Sequence, residues 1–184
     1  MKLWLLRHAR VMVPTGICYG ASEVLADARA AEEAAQRFAG WPASGSRVWV
    51  SPASRTQQLA TALLNKRTDL QGPHVDPRLR EMDFGKWEMQ PWSEIPRGAI
   101  EAWTADFAHH RFGGNESTQD VIDRVAQALE AVLAQGVLET VWITHAGVIR
   151  AVQYLLSGEH RIIGSANDWP VDAPAMGEWL GLNL

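Results

Sequence analysis

The stretch Lys2-Leu-Trp-Leu-Leu-Arg-His-Ala-Arg10 decides how the rest of the chain is read. Its apolar run, with Trp4 inside it, has the character of a strand buried on both faces. The run ends abruptly in Arg7 and His8, followed by the small Ala9. A buried strand that delivers a cation and an imidazole to its own C-terminal end packs poorly, but it suits a ligand site. In open α/β sheets, ligands bind at the carboxyl ends of the strands. His8 is therefore the first candidate nucleophile.

Working outward, strands and helices alternate. The segment 11–20 contains Pro14, Gly16 and Gly20 and reads as a loop, and an Ala-rich helix is expected over 27–40. Residues 47–51 form a second apolar strand. Ser51-Pro52 is a helix start in which Ser51 can cap, and the helix buries Leu59, Ala60, Leu63 and Leu64. Gly72-Pro73 reads as a break and residues 74–79 as a short edge strand, because Pro77 lies in it. Residues 84–96 are irregular and 97–110 helical. Ser117-Thr-Gln-Asp120 resembles a capping box and opens a helix with an apolar stripe through Val121, Val125, Leu129 and Val132. A third strand over 140–144 runs into His145, a further helix covers 148–156, and 178–184 can close the sheet.

This order implies an α/β fold, a three-layer sandwich with a largely parallel central sheet flanked by helices. At 184 residues, with no internal repeat or linker, one domain over 1–184 is expected. If the strands are parallel, Arg7, His8, Arg55 and His145 converge on one sheet edge. Two arginines offer planar, permanently charged forks for phosphate oxygens. One imidazole can attack phosphorus while the other donates a hydrogen bond to the transferring group. A leaving oxygen then needs a proton, and the carboxylates of Arg80-Glu-Met-Asp83 are placed to give it.

Composition narrows the partners. The net charge of −4 lacks the basic footprint of a nucleic-acid binder. The N-terminal apolar run is too short for a signal-peptide core or a membrane span. The lone Cys18 rules out an intrachain disulfide and fits a reducing compartment, so a cytoplasmic location is expected. The expected partner is a small phosphorylated metabolite, with neither nucleic acid nor membrane, and a homodimer is compatible with the sequence.

Five motifs now stand in order: LRHAR at 6–10, SPASR at 51–55, EMDFGKWE at 81–88, GGNES at 113–117 and THAGVIR at 144–150. Together they resemble the histidine phosphatase superfamily, which includes cofactor-dependent phosphoglycerate mutases and many small phosphatases. The resemblance implies a phosphoglycerate mutase-like fold and a phosphoric monoester hydrolase that works without metal or other cofactor. It makes His8 the phosphate-accepting nucleophile. Arg7, Arg55 and His145 become the phosphate pocket, and Glu81 the proton donor, with its pKa raised by burial and by the arriving phosphate. Ala146, Arg10 and Glu116 complete the candidate substrate contacts, with helix capping the competing role for Glu116. Ala9 and Ala146 replace a glycine common in the family, and Arg10 stands where an acidic residue is frequent.

Between Glu88 and Gly113 there is little room for the segment that closes over the cofactor in the mutases. Net hydrolysis is therefore expected over isomerisation, and the complete set of pocket residues argues against a non-catalytic phospholigand-binding module. Cys18-Tyr-Gly20, with Glu23 nearby, resembles the α-ribazole phosphatase branch, which removes the 5′-phosphate of α-ribazole 5′-phosphate in cobalamin assembly. Broad-specificity sugar or nucleotide phosphatases share that segment and are the alternative. The chain has nine tryptophans, and Trp87, Trp92 and Trp103 fall in the segment over the site. Core packing is their first expectation and stacking on a substrate ring the second.

Overall fold

The computed structural model describes residues 1–158 and 162–184; His160, which shows no partner pattern in the sequence and is expected to be non-catalytic, lies outside them. The core is a five-stranded sheet of order β3-β2-β4-β1-β5. Its strands are β1 (Lys2–Arg7), β2 (Arg47–Val50), β3 (Gln71–Val75), β4 (Glu139–Thr144) and β5 (Trp179–Asn183). β1, β2, β3 and β4 are mutually parallel, and only β5 runs antiparallel, against β1.

Period-two alternation sorts the apolar residues onto two layers. Trp4 and Leu6 of β1, with Val141 and Ile143 of β4, pack on α1 (Ala28–Phe38) and α2 (Ser54–Lys66). Leu3, Leu5 and Trp142 face the other way, onto α4 (Thr118–Leu133) and α5 (Ala146–Ser157). Both faces are covered, which is why β1 is a continuous apolar run rather than an alternating one. Ser117 and Asp120 exchange hydrogen bonds as the capping box requires, so α4 begins where its sequence signals.

Three local expectations are corrected. α2 begins at Ser54, with Ala53 at its N-cap and no capping side chain of its own. Ser51 instead directs its hydroxyl to His145, and the α2 N-terminus is met by Glu23, whose carboxylate accepts from Ser54 N (3.2 Å) and Oγ (2.7 Å). The edge strand is Gln71–Val75 rather than 74–79; Gly72 and Pro73 lie inside it, and Pro77 opens a separate 3₁₀ turn. That placement is tolerated because β3 is an edge whose register with β2 shifts. The helix expected over 97–110 is α3 (Arg97–Ala105); beyond it, Asp106 diverts the chain by accepting from His109 N (3.3 Å).

Register is what assembles the site. Arg7 lies opposite Thr144 and Val50 opposite Ile143, so three strands end level. His8 N donates to Thr144 O (3.0 Å) and Ser51 N to Ile143 O (3.1 Å), which carries the alignment one residue past each strand.

Candidate active site

At this level edge lies a cleft of about 230 Å³. Arg7, His8, Arg55 and Glu81 line it, together with Ile17, Tyr19, Phe84, Trp92 and Arg150. Four of the expected residues therefore meet. His145 lies behind them, fully buried, with its ring 5.3 Å from that of His8.

The His8 ring is fixed by one hydrogen bond, Nδ1 to the carbonyl of Ala9 at 2.8 Å. A carbonyl only accepts, so Nδ1 carries the proton and Nε2 keeps its lone pair when the ring is neutral. Burial, chiefly, with Arg55 and Arg7 adding to it, pushes the imidazole pKa down to about 3. His8 is thus a neutral imidazole presenting Nε2. His145 is held well below the ordinary imidazole range by burial first, then by Arg55 and His8. Its Nε2 is 2.8 Å from Ser51 Oγ, while Nδ1 has no partner among the described residues.

Both imidazoles link stability to pH. The unfolded chain protonates histidine near pH 6.5, whereas the folded chain does not until far lower. The unfolded state therefore binds more protons in this window, and stability rises with pH. Urea unfolding between pH 6 and 4.5 is expected to show a slope approaching about 1.4 kcal/mol per pH unit for each imidazole as pH falls. Flat stability across that window would contradict the burial of neutral rings.

Arg55 sits in the first turn of α2, 1% exposed, where the helix dipole disfavours a cation. Carbonyl oxygens compensate: Nη1 donates to Ser22 O (2.9 Å) and Nη2 to Gly20 O (2.6 Å). Arg7 Nη1 donates to Pro174 O (3.0 Å). The Nε of each is buried without a hydrogen-bond partner among the described residues. Burial lowers the pKa of both guanidiniums from the ordinary arginine value. Desolvated donors of this kind favour a bound anion strongly.

The loop that orients Arg55 is itself anchored by Glu88. Its carboxylate accepts from Gly20, Ala21, Ser22 and Phe84 backbone N–H groups, at 2.9 to 3.2 Å, and from the Ser22 hydroxyl. Gly20 must be glycine here, because a Cβ would collide with the carbonyl oxygen of Met82. Glu81 faces the start of α5: Oε2 accepts from Gly147 N (3.0 Å) and Oε1 from its neighbour Met82 N (3.1 Å).

Three expected substrate contacts are placed elsewhere. Arg10 points away from the cleft, with its side chain 71% exposed and paired to Asp27 at 2.7 Å. An antiparallel bridge between Val11 and Ala26 turns the chain toward α1 directly after the motif. Glu116 is buried under the loop, bound to Arg124 (2.8 Å) and accepting from Asp83 N (3.0 Å). It ties the segment carrying Glu81 to the start of α4. Ala146 begins α5, buried, and is not among the cleft-lining residues. Conversely, Ile17, Tyr19 and Phe84 enter the cleft although sequence reasoning did not name them for it, and Arg150, which reads as a structural helix residue, lines it too. Tyr19 and Trp92 reach the same rim because Ile17 pairs with Pro91 and Cys18 N donates to Gln90 O. Trp87 packs on Phe112. No group of three or more His, Cys, Asp or Glu side chains among the described residues could hold a metal ion.

Comparison with known proteins bears on this arrangement. The chain is 30% identical over 129 residues to "Putative phosphoserine phosphatase 2" of Hydrogenobacter thermophilus; the alignment covers 67% of this chain and spans 60% of that relative's length. TTHB049 from Thermus thermophilus superposes with a TM-score of 0.73 at 26% identity, covering 100% of this chain and 94% of that one. The alpha-ribazole phosphatase from Shigella flexneri shares the fold, with a TM-score of 0.80 at 24% identity over 100% of this chain and 91% of that one. The family model of the histidine phosphatase superfamily (branch 1) matches residues 3–164, a span that contains Arg7, His8, Arg55, Glu81 and His145. A parallel sheet that ends in two imidazoles and buried guanidiniums, matched over that span, places this chain in the histidine phosphatase superfamily.

Proposed function

We propose that the protein is a phosphomonoesterase that hydrolyses a small phosphorylated metabolite through a phosphohistidine on His8. The observation that carries this reading is the neutral His8 ring, with its Nδ1 proton committed to Ala9 O and its Nε2 free in a cleft beside Arg7, Arg55 and Glu81. In the first step Nε2 attacks phosphorus; the P–N bond forms as the ester P–O bond breaks, and Glu81 gives its proton to the departing alcohol oxygen. The Ala9 carbonyl, still accepting from Nδ1, stabilises the positive charge on the phosphorylated ring. Arg7, Arg55 and His145 hold the phosphoryl oxygens. In the second step the Glu81 carboxylate takes a proton from water, water attacks phosphorus, the P–N bond breaks, and inorganic phosphate leaves.

As substrate we favour α-ribazole 5′-phosphate, with sugar or nucleotide phosphates as the alternative and the cytoplasm as the compartment. Support comes from Tyr19 of the Cys18-Tyr-Gly20 segment and from Trp92, which bring aromatic rings to the cleft. Rapid quench with a ³²P-labelled phosphomonoester tests the chemistry: label on the protein should be acid-labile and base-stable. Turnover with no such label overturns the mechanism. A panel of phosphomonoesters ranked by kcat/KM tests the substrate, and α-ribazole 5′-phosphate ranking below simple sugar phosphates overturns that choice.

The contact between Glu81 and α5 makes a separable test. A Cβ on Gly147 would collide with Glu81 Oε1. That oxygen ends a flexible side chain, so Gly147→Ala is expected to change stability by no more than about 1 kcal/mol. It should nevertheless lower kcat/KM by about 10²-fold, because the carboxylate is displaced from the reacting oxygen. Unchanged activity with a displaced Glu81 would remove that residue from the proton transfer.

A further inference from the structure

Beside the phosphate cleft lies a second, more enclosed cavity of about 110 Å³. Glu81, Phe84 and Arg150 line both spaces and form the boundary between them. Beyond that boundary the walls are mostly apolar, formed by Met82, Trp103, Phe107, Val121 and Trp169, with Thr118 the polar exception. The rings are held in place, with Trp103 stacked on Phe107 at 5.4 Å, Trp169 edge-on to Phe107 at 6.1 Å, and Trp103 Nε1 donating to Thr118 Oγ1 at 3.2 Å. Arg150 donates through Nη2 to Val171 O (3.1 Å), and its Nε is buried at the threshold without a hydrogen-bond partner among the described residues.

We propose that this cavity is the leaving-group subsite, and that it selects phosphomonoesters of alcohols carrying a single ring-sized apolar body. The inference rests on the hydrolytic reading above and stands against the α-ribazole choice, whose fused benzimidazole this cavity would not take; the esters below decide between the two. If Glu81 protonates the ester oxygen, that oxygen lies against its carboxylate, and the carbon chain attached to it emerges at the cavity mouth. A cavity of roughly 150 Å³ accepts a benzene ring. The space here, about 110 Å³, is smaller than that, so it limits the apolar body to at most one six-membered ring or a branched aliphatic group and excludes a fused pair of rings. Arg150 offers an N–H to an acceptor close to the ester oxygen, so the preferred alcohol is polar near the reacting end and apolar at the far end.

Three primary-alcohol esters of similar leaving-group acidity decide the matter: ethyl, 2-phenylethyl and 2-(1-naphthyl)ethyl phosphate. The phenyl compound is expected to exceed ethyl phosphate in kcat/KM by roughly tenfold to a hundredfold, from burial of the ring, and the naphthyl compound to fall back. Val121→Phe fills the cavity and should erase the preference while ethyl phosphate turnover persists; if that variant does not fold, the wild-type ratio decides alone. Equal kcat/KM for the ethyl and phenyl esters, with label still trapped on the protein, overturns the subsite and leaves the hydrolytic reading standing. Absence of both turnover and label overturns the hydrolytic reading. Calorimetry with 2-phenylethylphosphonate and ethylphosphonate then judges the cavity by itself: tenfold tighter binding of the ring compound sustains it, and equal binding overturns it.

Discussion

His8→Ala is expected to lower kcat/KM for an aryl phosphate by at least about 10⁴-fold and to abolish the base-stable phosphoprotein. The size follows from the role, since removing the nucleophile of a covalent mechanism leaves only binding and electrostatic stabilisation. The groups around it are poor replacements, and a phosphoryl group carried on the Glu81 carboxylate would not be base-stable. Arg7 and Arg55 are cations, Tyr19 has its hydroxyl pKa pushed up by burial, and the Cys18 thiol is buried and pushed up to about 12. The substitution also removes the partner of Ala9 O, at a cost of about 1–3 kcal/mol. Thermal unfolding of the variant separates that cost from the loss of chemistry. A folded His8→Ala protein with turnover near that of the wild type would end the phosphohistidine mechanism. A folded protein that still binds phosphate but does not turn over would support it, because Arg7 and Arg55 remain.

Much of this site is legible in the chain, and the reason lies in the strands. β1 and β4 are buried on both faces, so their apolar runs stand out, and the polar residues directly after them, His8 and His145, mark the strand ends. Arg55 is legible because a cation in a helix's first turn opposes the dipole and needs an anion or carbonyls. What resists reading is set by contacts distant in sequence. Arg10 looks like part of the motif, yet a bridge between Val11 and Ala26 turns it toward Asp27. Glu116 looks available as a helix-start acid, but its partners are Arg124 and the backbone of Asp83. Tyr19 and Trp92 join one rim only through pairing of two loops far apart in sequence, Cys18 N to Gln90 O and Trp92 N to Gly16 O. No local pattern encodes such pairings. The Ser51 hydroxyl is a further case: as a capping residue it would serve α2, but β2 and β4 end level and bring it to His145 instead.

Glu81→Gln separates the two halves of the reaction. The amide can still accept from Gly147 N or from Met82 N, which now serve Oε2 and Oε1, so the side chain keeps its place while losing its proton. An alkyl phosphate expels a strongly basic alkoxide unless it is protonated, and its kcat/KM is expected to fall by about 10²–10⁴-fold. A 4-nitrophenyl ester leaves as a weakly basic phenolate, needs little protonation, and should lose about tenfold or less. The second step has no such escape, because water always needs a base. With the nitrophenyl ester the variant should therefore form phosphohistidine at nearly the wild-type rate and then stall. Rapid quench should show a burst of one nitrophenolate per site and more base-stable label at steady state than in the wild type. Equal losses for the two esters, with no accumulation, would mean that Glu81 moves no proton and only positions the start of α5. The proton would then have to pass through another group at the cleft, with Tyr19 the candidate to test next, since its half-buried ring lies 6.3 Å from that of His8.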